Sequence, residues 1–425
     1  MSVVEKVVIE GFWGDRHLEI DFFEDVNFLI GPNGSGKTTA INIIAAALTG
    51  DFPTLDRLPF KSIEITLRDG KSRKKPSVTV VKKGKRRSPY PSIDYHIKEA
   101  AGGKVSRFSL DEYAEERYYR DINHMGRPAR YRLRNATADI VQRLKNIART
   151  SWLSIHRAEG PKNTREERNY EFSVEQKVEE VTSSLVRYFT ELQSRSSEET
   201  SKFQQFIFLS LLYVPDQNEM FQSVRRLNLE EEKGGLIEIF KNFNLAEEEY
   251  LDGTNSQYNI LKEIISEGMD KVNLVEFLQL INGWRIHSVV QEWAELIERQ
   301  QKIFEPRNSF LSVINNMFQR KELKINEQNE IYAITRSEKI LTPSELSSGE
   351  KQLLIILGEA LLQRSTNWIY IADEPELSLH VNWQELLVDN LRKMNSSSQL
   401  IIATHSPDIV SHYSSKVHDM ERLLS

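Results

Sequence analysis

The chain of 425 residues has no cysteine, which excludes a disulfide framework, an iron–sulfur cluster and any thiolate-ligated zinc. Long apolar runs are missing too. The longest, near Phe206–Val214 and Leu353–Leu357, fall well short of the roughly 18 residues a membrane-spanning helix needs. The opening MSVVEKVVIE has neither the basic start nor the apolar stretch of a secretory leader. Charge of one sign does not dominate: 56 Lys and Arg face 62 Asp and Glu, a formal net charge of −6. A uniformly basic nucleic-acid coat is thereby excluded, whereas a local basic patch is not. No internal repeat, low-complexity tract or unbroken heptad pattern is present. With 39% apolar residues and length for about two or three domains, the expectation is a soluble cytoplasmic protein with a real core and no membrane association.

What is present begins with strands. Val3–Glu10 and His17–Phe23 alternate apolar and polar residues as half-buried strands do. Val26–Ile30 is a short, mostly apolar run suited to a parallel sheet. Gly31-Pro32-Asn33-Gly34-Ser35-Gly36 breaks it, and Lys37–Leu48 continues with Ala-rich helical composition. Ser62–Arg68, Val78–Lys83 and Ile93–Lys98 predict an antiparallel lobe, and Trp152–Arg157 a return to a core strand. From Val174 to Asn316 the texture is helical: Val178, Val181, Leu185, Phe189 and Leu192 form one stripe. Phe203–Tyr213 and Gln257–Ile265 also read as helices, with Glu248–Asn255 as an interrupting loop. The segment thus predicts a compact helical insertion rather than a long coiled coil. A hairpin follows, with strands at Glu322–Ile325 and Glu330–Arg336. A helix over Ser348–Gln363, a strand at Trp368–Ala372, a helix at Val381–Met394 and a strand at Gln399–Ala403 then restore α/β order. The expected organisation is one α/β head split by an insertion. Residues 1–160 carry its N-terminal part and β lobe, 161–320 the helices for oligomerisation or partner docking, and 321–425 its C-terminal part.

Gly31 to Thr38 satisfies the G-x-x-x-x-G-K-[ST] phosphate loop in full. Its glycines let backbone N–H groups close around phosphate oxygens, and the following helix N-terminus favours anions. Lys37 is expected along the β- and γ-phosphates of ATP, Thr38 on Mg²⁺ and Thr39 near the α-phosphate, with Asn33, Gly34, Ser35 and Gly36 forming the cradle. The apolar strand Trp368–Ala372 ends in two carboxylates, which places Asp373 near Mg²⁺ and Glu374 near the attacking water. Ser347-Ser348-Gly349-Glu350 reads both as a helix capping box and as an anion site at a helix N-terminus. His405 follows the strand Gln399–Ala403, where a histidine can bond a γ-phosphate.

In this order the motifs resemble ABC-type ATPases, and within them the SMC, RecF and OLD-like branch. Leu346 to Glu350 is similar to the ABC signature. Asp373-Glu374-Pro375-Glu376-Leu377-Ser378-Leu379-His380 and Thr404-His405-Ser406-Pro407-Asp408 resemble the OLD-like forms. The resemblance implies an α/β fold, an ABC-type P-loop ATPase head with an antiparallel β lobe and a helical insertion. Two heads would sandwich two ATPs, with Ser347 and Gly349 of each completing the other's site, so an isolated protomer would hydrolyse slowly. Full OLD nucleases continue into a Toprim domain, whereas 20 residues follow His405 here. Any nuclease is therefore expected on a different polypeptide, Toprim-like or HNH-like. That arrangement resembles the stand-alone ATPase subunits of anti-phage systems such as PARIS and Septu, and implies a higher homo-oligomer that senses infection and controls the effector. The family's usual glutamine-bearing loop is not evident in Trp152–Arg157.

Arg68–Arg87 holds ten basic residues (Arg68, Lys71, Arg73, Lys74, Lys75, Lys82, Lys83, Lys85, Arg86 and Arg87) and one acid, Asp69. Arg127, Arg130, Arg132, Arg134, Arg143, Lys145 and Arg149 form a looser second cluster. Such a segment reads as a nucleic-acid surface, a dock for an acidic partner or a solvated hairpin tip. The alternatives to effector control are a DNA-repair ATPase of RecF or Rad50 type, a transporter subunit and an ATP-locked scaffold. The 309 residues between Lys37 and Leu346 count against the transporter.

Overall fold

The computed structural model describes residues 2–69, 75–84, 92–99, 105–109, 129–153, 166–213, 216–268, 272–364 and 366–424. The chain divides into two compact units, Met1–Val186 with Ser309–Ser425, and Arg187–Asn308.

Among the described residues, the first unit holds three sheets. Strands β1 (Ser2–Phe12), β2 (Arg16–Asp21), β4 (Ser62–Asp69), β5 (Ser77–Lys83), β6 (Ser92–Lys98) and β7 (Val105–Ser109) form an antiparallel sheet in the order β2-β1-β4-β5-β6-β7. Strands β3 (Val26–Ile30), β8 (Thr150–Leu153), β12 (Ile369–Asp373), β13 (Gln399–Ala403) and β14 (Val417–Asp419) form a parallel sheet in the order β14-β3-β13-β12-β8. The predicted hairpin is β9 (Lys321–Ile325) with β10 (Ile331–Thr335), extended by β11 (Ile340–Leu341).

Helix α1 (Lys37–Thr49) packs against β4 and β5 of the antiparallel sheet and against β8, β12 and β13 of the parallel one. Every residue from Ala40 to Leu48 is buried, as a helix without a polar face requires. The two sheets are also stitched by Gln399, which is fully buried. Its Nε2 donates to the carbonyls of Val4 (2.8 Å) and Phe23 (2.7 Å), and its Oε1 accepts from the Val4 amide at 2.7 Å. Every polar atom of that amide is thereby satisfied, the condition for burying it cheaply.

Further helices of the first unit are α2 (Phe52–Arg57) and α3 (Ala129–Ile147). α4 (Glu166–Ser210) carries the predicted stripe, and all five of its residues are buried. The remainder of the helical segment is α5 (Gln217–Arg225), α6 (Leu229–Asn242), α7 (Glu247–Glu267) and α8 (Leu274–Met317). One expectation fails here. Glu248–Asn255 is helical, the start of α7, because Glu247, Glu248 and Glu249 favour the positive end of a helix and offset Gly253. Helices α4 and α8 run 45 and 44 residues, longer than the segments that the sequence pattern marks as helical. The chain ends with α9 (Ser348–Leu362), α10 (Val381–Met394), α11 (Pro407–Val410) and α12 (Met420–Leu423). No helix among the described residues is long and apolar enough to cross a membrane.

The described members of the basic segment are engaged within the β lobe. Arg68 bonds Glu5 and Glu24 at 2.6 Å each, Lys75 bonds Glu5 at 3.0 Å and Lys83 bonds Asp94 at 2.6 Å. Arg143 of the second cluster pairs with Glu99 and Asp139. Lys71, Arg73, Lys74, Lys85, Arg86 and Arg87 lie outside the described residues, as do the side chains of Arg127, Arg130, Arg132 and Arg134.

Lys82 is the exception in kind. Its ammonium donates to the carbonyls of Asp56 (3.1 Å) and Leu58 (2.5 Å) and lies 4.4 Å from the Phe60 ring centre, and burial pushes its pKa down to about 8. Between there and the unfolded value near 10.5 the unfolded chain binds more protons, so this group adds stability as pH rises through that window. Urea unfolding of wild type and Lys82→Met should therefore show the wild-type advantage growing from pH 8 to pH 10; a constant difference would mean that Lys82 titrates as a free lysine.

Candidate functional site

Three strands of the parallel sheet end side by side. β13 lies between β3 and β12, with Ala403 paired to Leu29 on one side and Asp373 on the other. The loops after β3, β13 and β12 therefore meet along the carboxyl edge, where parallel sheets place ligands.

The loop after β3 is built for close backbone approach. Gly36 has φ of 90°, and a Cβ there would stand 2.8 Å from the Phe12 ring and 3.2 Å from that of Trp13. Only glycine meets both demands. Ser35 is buried, and its hydroxyl has no partner among the described residues. Asn33 and Gly34 are exposed on the rim, while Thr38 and Thr39 are half-buried in the first turn of α1. Lys37 is 4% exposed, and its ammonium donates to the carbonyls of Gly31 (2.8 Å) and Pro32 (3.1 Å). Burial lowers its pKa, against the upward pull of Glu374, Asp373 and Glu376.

Those carboxylates come from the end of β12. Thr38 Oγ1 donates to Asp373 Oδ1 at 3.1 Å, a pair of hard oxygens of the kind Mg²⁺ takes. The unspent Ser35 hydroxyl, the buried Lys37 and this oxygen pair fit a magnesium-bound polyphosphate. Glu374 has φ of 47°, a conformation uncommon for residues other than glycine, and its amide donates to the Ala403 carbonyl at 2.8 Å. The strain aims its side chain toward the neighbouring loop, with Oε1 3.5 Å from His405 Nε2. Strain of this kind, about 1–3 kcal/mol, persists only where surrounding contacts enforce it.

The signature-like corner lies at the start of α9. Ser347 caps the helix, its amide and hydroxyl both donating to Glu350 Oε2 at 2.8 and 2.7 Å, and Lys321 reaches the same oxygen at 2.6 Å. Burial works to raise the Glu350 pKa, yet Lys321 and Ser347 together hold it below the ordinary value. Ser347 and Ser348 are exposed, and Gly349 is buried. A Cβ on Gly349 would stand 2.6 Å from the Ser378 carbonyl oxygen. The corner is thus packed on the acidic loop of its own chain. His380 caps α10 by accepting from the Asn382 amide at 3.4 Å.

The structure brings Lys37, Thr38, Asp373, Glu374 and His405 together. It also reveals two residues that the sequence reading left without a role. Trp13, 37% exposed with φ of 53°, stands beside Gly36 with Arg16 over its ring; an exposed tryptophan after a strand was the available signal. Glu376 is buried and accepts bonds from Thr404, His405 and Ser406; a second carboxylate two residues beyond Glu374 was its signal. Of Trp152–Arg157, residues 154–157 lie outside the described residues.

A profile described as the AAA ATPase domain matches residues 3–410. Shorter stretches are similar to curated proteins. A stretch of 71 residues is 39% identical to the DNA double-strand break repair Rad50 ATPase of Methanopyrus kandleri, covering 17% of this chain and 7% of that protein. Another of 50 residues is 42% identical to the Rad50 ATPase of Nanoarchaeum equitans, covering 12% and 6%. The matches thus span less than a tenth of these relatives' length. Among solved structures, the Smc head domain of Pyrococcus furiosus aligns at 13% identity and TM-score 0.39, covering 96% of this chain and 91% of that one. The Smc head of Pyrococcus yayanosii aligns at 14% and 0.39, covering 96% and 93%.

The close approach at Gly349 makes it a packing residue whatever ligand it meets. Gly349→Ala should lower unfolding stability by roughly 1–3 kcal/mol, the usual cost of overpacking, against a helix-propensity gain of about 1 kcal/mol. Urea denaturation without nucleotide reads this; unchanged stability would mean that the Ser378 carbonyl yields freely.

Proposed function

The chain belongs to the AAA ATPase domain family, and from that premise we propose that it binds ATP with Mg²⁺ at the loop after β3 and hydrolyses it in a head-to-head homodimer. The observation that carries this reading is the meeting of Lys37, Asp373, Glu374 and His405 at three adjacent strand ends. In it, the loop amides, Asn33, Gly34, Ser35 and Gly36 cradle the phosphates, and Thr39 supports the α-phosphate. Lys37 exchanges its two loop carbonyls for the β- and γ-phosphates. Thr38 and Asp373 hold Mg²⁺, which neutralises phosphate charge when bound. Glu374 orients and deprotonates the attacking water, and His405 bonds the γ-phosphate. The Trp13 ring stacks on the base. Ser347, exposed at a capped helix N-terminus, and Gly349 beside it face the partner's ATP.

The finer reading is that this ATPase acts in the cytoplasm in antiviral defence, controlling a separate Toprim-like or HNH-like nuclease. It rests on the likeness of Asp373–His380 and Thr404–Asp408 to the OLD-like branch. In support, the helical unit leaves Phe208, Leu209 and Leu212 in one stretch, and Leu274 and Val275 in another, each more than 60% exposed, and exposed apolar patches mark interaction sites. Co-purification with the product of an adjacent nuclease gene tests this finer part.

Two substitutions separate binding from chemistry. Lys37→Ala should abolish ATP binding measured by calorimetry. Glu374→Gln should retain binding, lower turnover by on the order of 10²-fold or more, and shift ATP-loaded protein to a dimer in light scattering; equal turnover in Glu374→Gln and wild type would remove Glu374 from the chemistry. Trp13→Ala should weaken ATP binding about tenfold, since base stacking on an aromatic is worth about 1–3 kcal/mol. Tripolyphosphate, which has no base, should bind both proteins alike.

A further inference from the structure

One carboxylate joins the acidic loop to the histidine loop. Glu376 is 7% exposed. Its Oε1 alone accepts from the Thr404 hydroxyl, from the His405 amide at 3.0 Å and from the Ser406 amide at 3.3 Å. Thr404 is fully buried, and its hydroxyl accepts a further bond from the Ser406 amide at 2.9 Å. Three consecutive residues after β13 are therefore tied to a side chain rooted two residues beyond Glu374.

The root is itself held. Gln352 of α9 donates to the Pro375 carbonyl at 2.6 Å, and the Leu379 amide donates to the Glu376 carbonyl at 2.9 Å. Proline at 375 restricts the backbone between the two glutamates. Burying a carboxylate is costly unless donors surround it, so an apolar residue would fill this position at lower cost if filling were all it did. What the carboxylate adds is register: it fixes where the His405 backbone leaves β13, and His405 Nε2 stands 3.5 Å from Glu374 Oε1.

We propose that Glu376 is a positioning residue that sets the reach between His405 and Glu374, coupling the histidine loop to the water-activating carboxylate. The proposal rests on the ATP-hydrolysing reading and assigns Glu376 no contact with nucleotide. Its second oxygen, Oε2, has no partner among the described residues. Glutamine keeps an Oε1 that can accept the three working contacts, with its amide nitrogen at the place of Oε2, and alanine removes them.

Glu376→Ala should lower kcat by on the order of 10²-fold, the cost of misplacing a reacting group by about 1 Å, with ATP affinity within about threefold of wild type. Glu376→Gln should stay within about threefold of wild type in both. Adding His405→Ala to Glu376→Ala should cost nothing further, because the two act as one unit. Hydrogen exchange should speed up at the His405 and Ser406 amides in the alanine variant and not in the glutamine variant. Additive losses, equal defects in both variants, or parallel loss of ATP affinity and kcat would overturn the proposal. If the alanine variant does not fold, Glu376→Asp, one methylene shorter, should show the same pattern in weaker form. A wild type that turns over no ATP would sink the ATPase reading instead, while amide exchange would still decide whether Glu376 holds the loop.

Discussion

Burial of α1 on all sides is the constraint from which the site follows. A helix reading Ala-Ile-Asn-Ile-Ile-Ala-Ala-Ala-Leu over residues 40–48 has no face to give to water, so sheets must cover it from both sides. The antiparallel sheet supplies one cover and the parallel sheet the other. Once the helix is clamped, its N-terminus and the loop before it can lie only at the carboxyl edge of β3. Small residues make the clamp tight: four alanines in this stretch let two sheets approach one helix.

The surrounding loops are held in conformations that they would not adopt alone. Glu374 and Ser378 both have positive φ, at 47° and 74°, and each lies within reach of a contact that enforces it. Glu374 is anchored by its amide to β13, and the Ser378 carbonyl lies against Gly349. Lys37 is surrounded by carbonyls and three nearby carboxylates while burial lowers its pKa. The result is a set of donors and acceptors gathered at one edge of the parallel sheet.

Local signals were the legible ones. The phosphate loop, the strand ending in Asp373-Glu374 and the cap formed by Ser347 and Glu350 are contiguous in sequence, and each is recognisable within eight residues. Val26–Ile30, Val381–Met394 and Gln399–Ala403 have the bounds that their apolar patterns imply. What stayed hidden depends on distant partners. Glu376 gains its meaning only from residues 28 to 30 positions away, and Gly349 only from the Ser378 carbonyl. At Glu248–Asn255, read as a loop, the helix holds in spite of Gly253 because the run of glutamates at its start stabilises it. The pairings in the basic segment were hidden in the same way, since a count of Lys and Arg does not record that Glu5, Glu24 and Asp94 engage Arg68, Lys75 and Lys83.

The stitch between Val4 and Gln399 spans 395 positions, and β3 pairs only with β13 and β14 among the described strands. A ribosome therefore releases the nucleotide loop long before either neighbour of its strand exists. Until residues 399–419 are made, Val26–Ile30 presents two bare apolar edges, the sort that invite mispairing with other chains. The parallel sheet of this head can close only through contacts nearly 400 positions apart, the kind of wiring that slows folding.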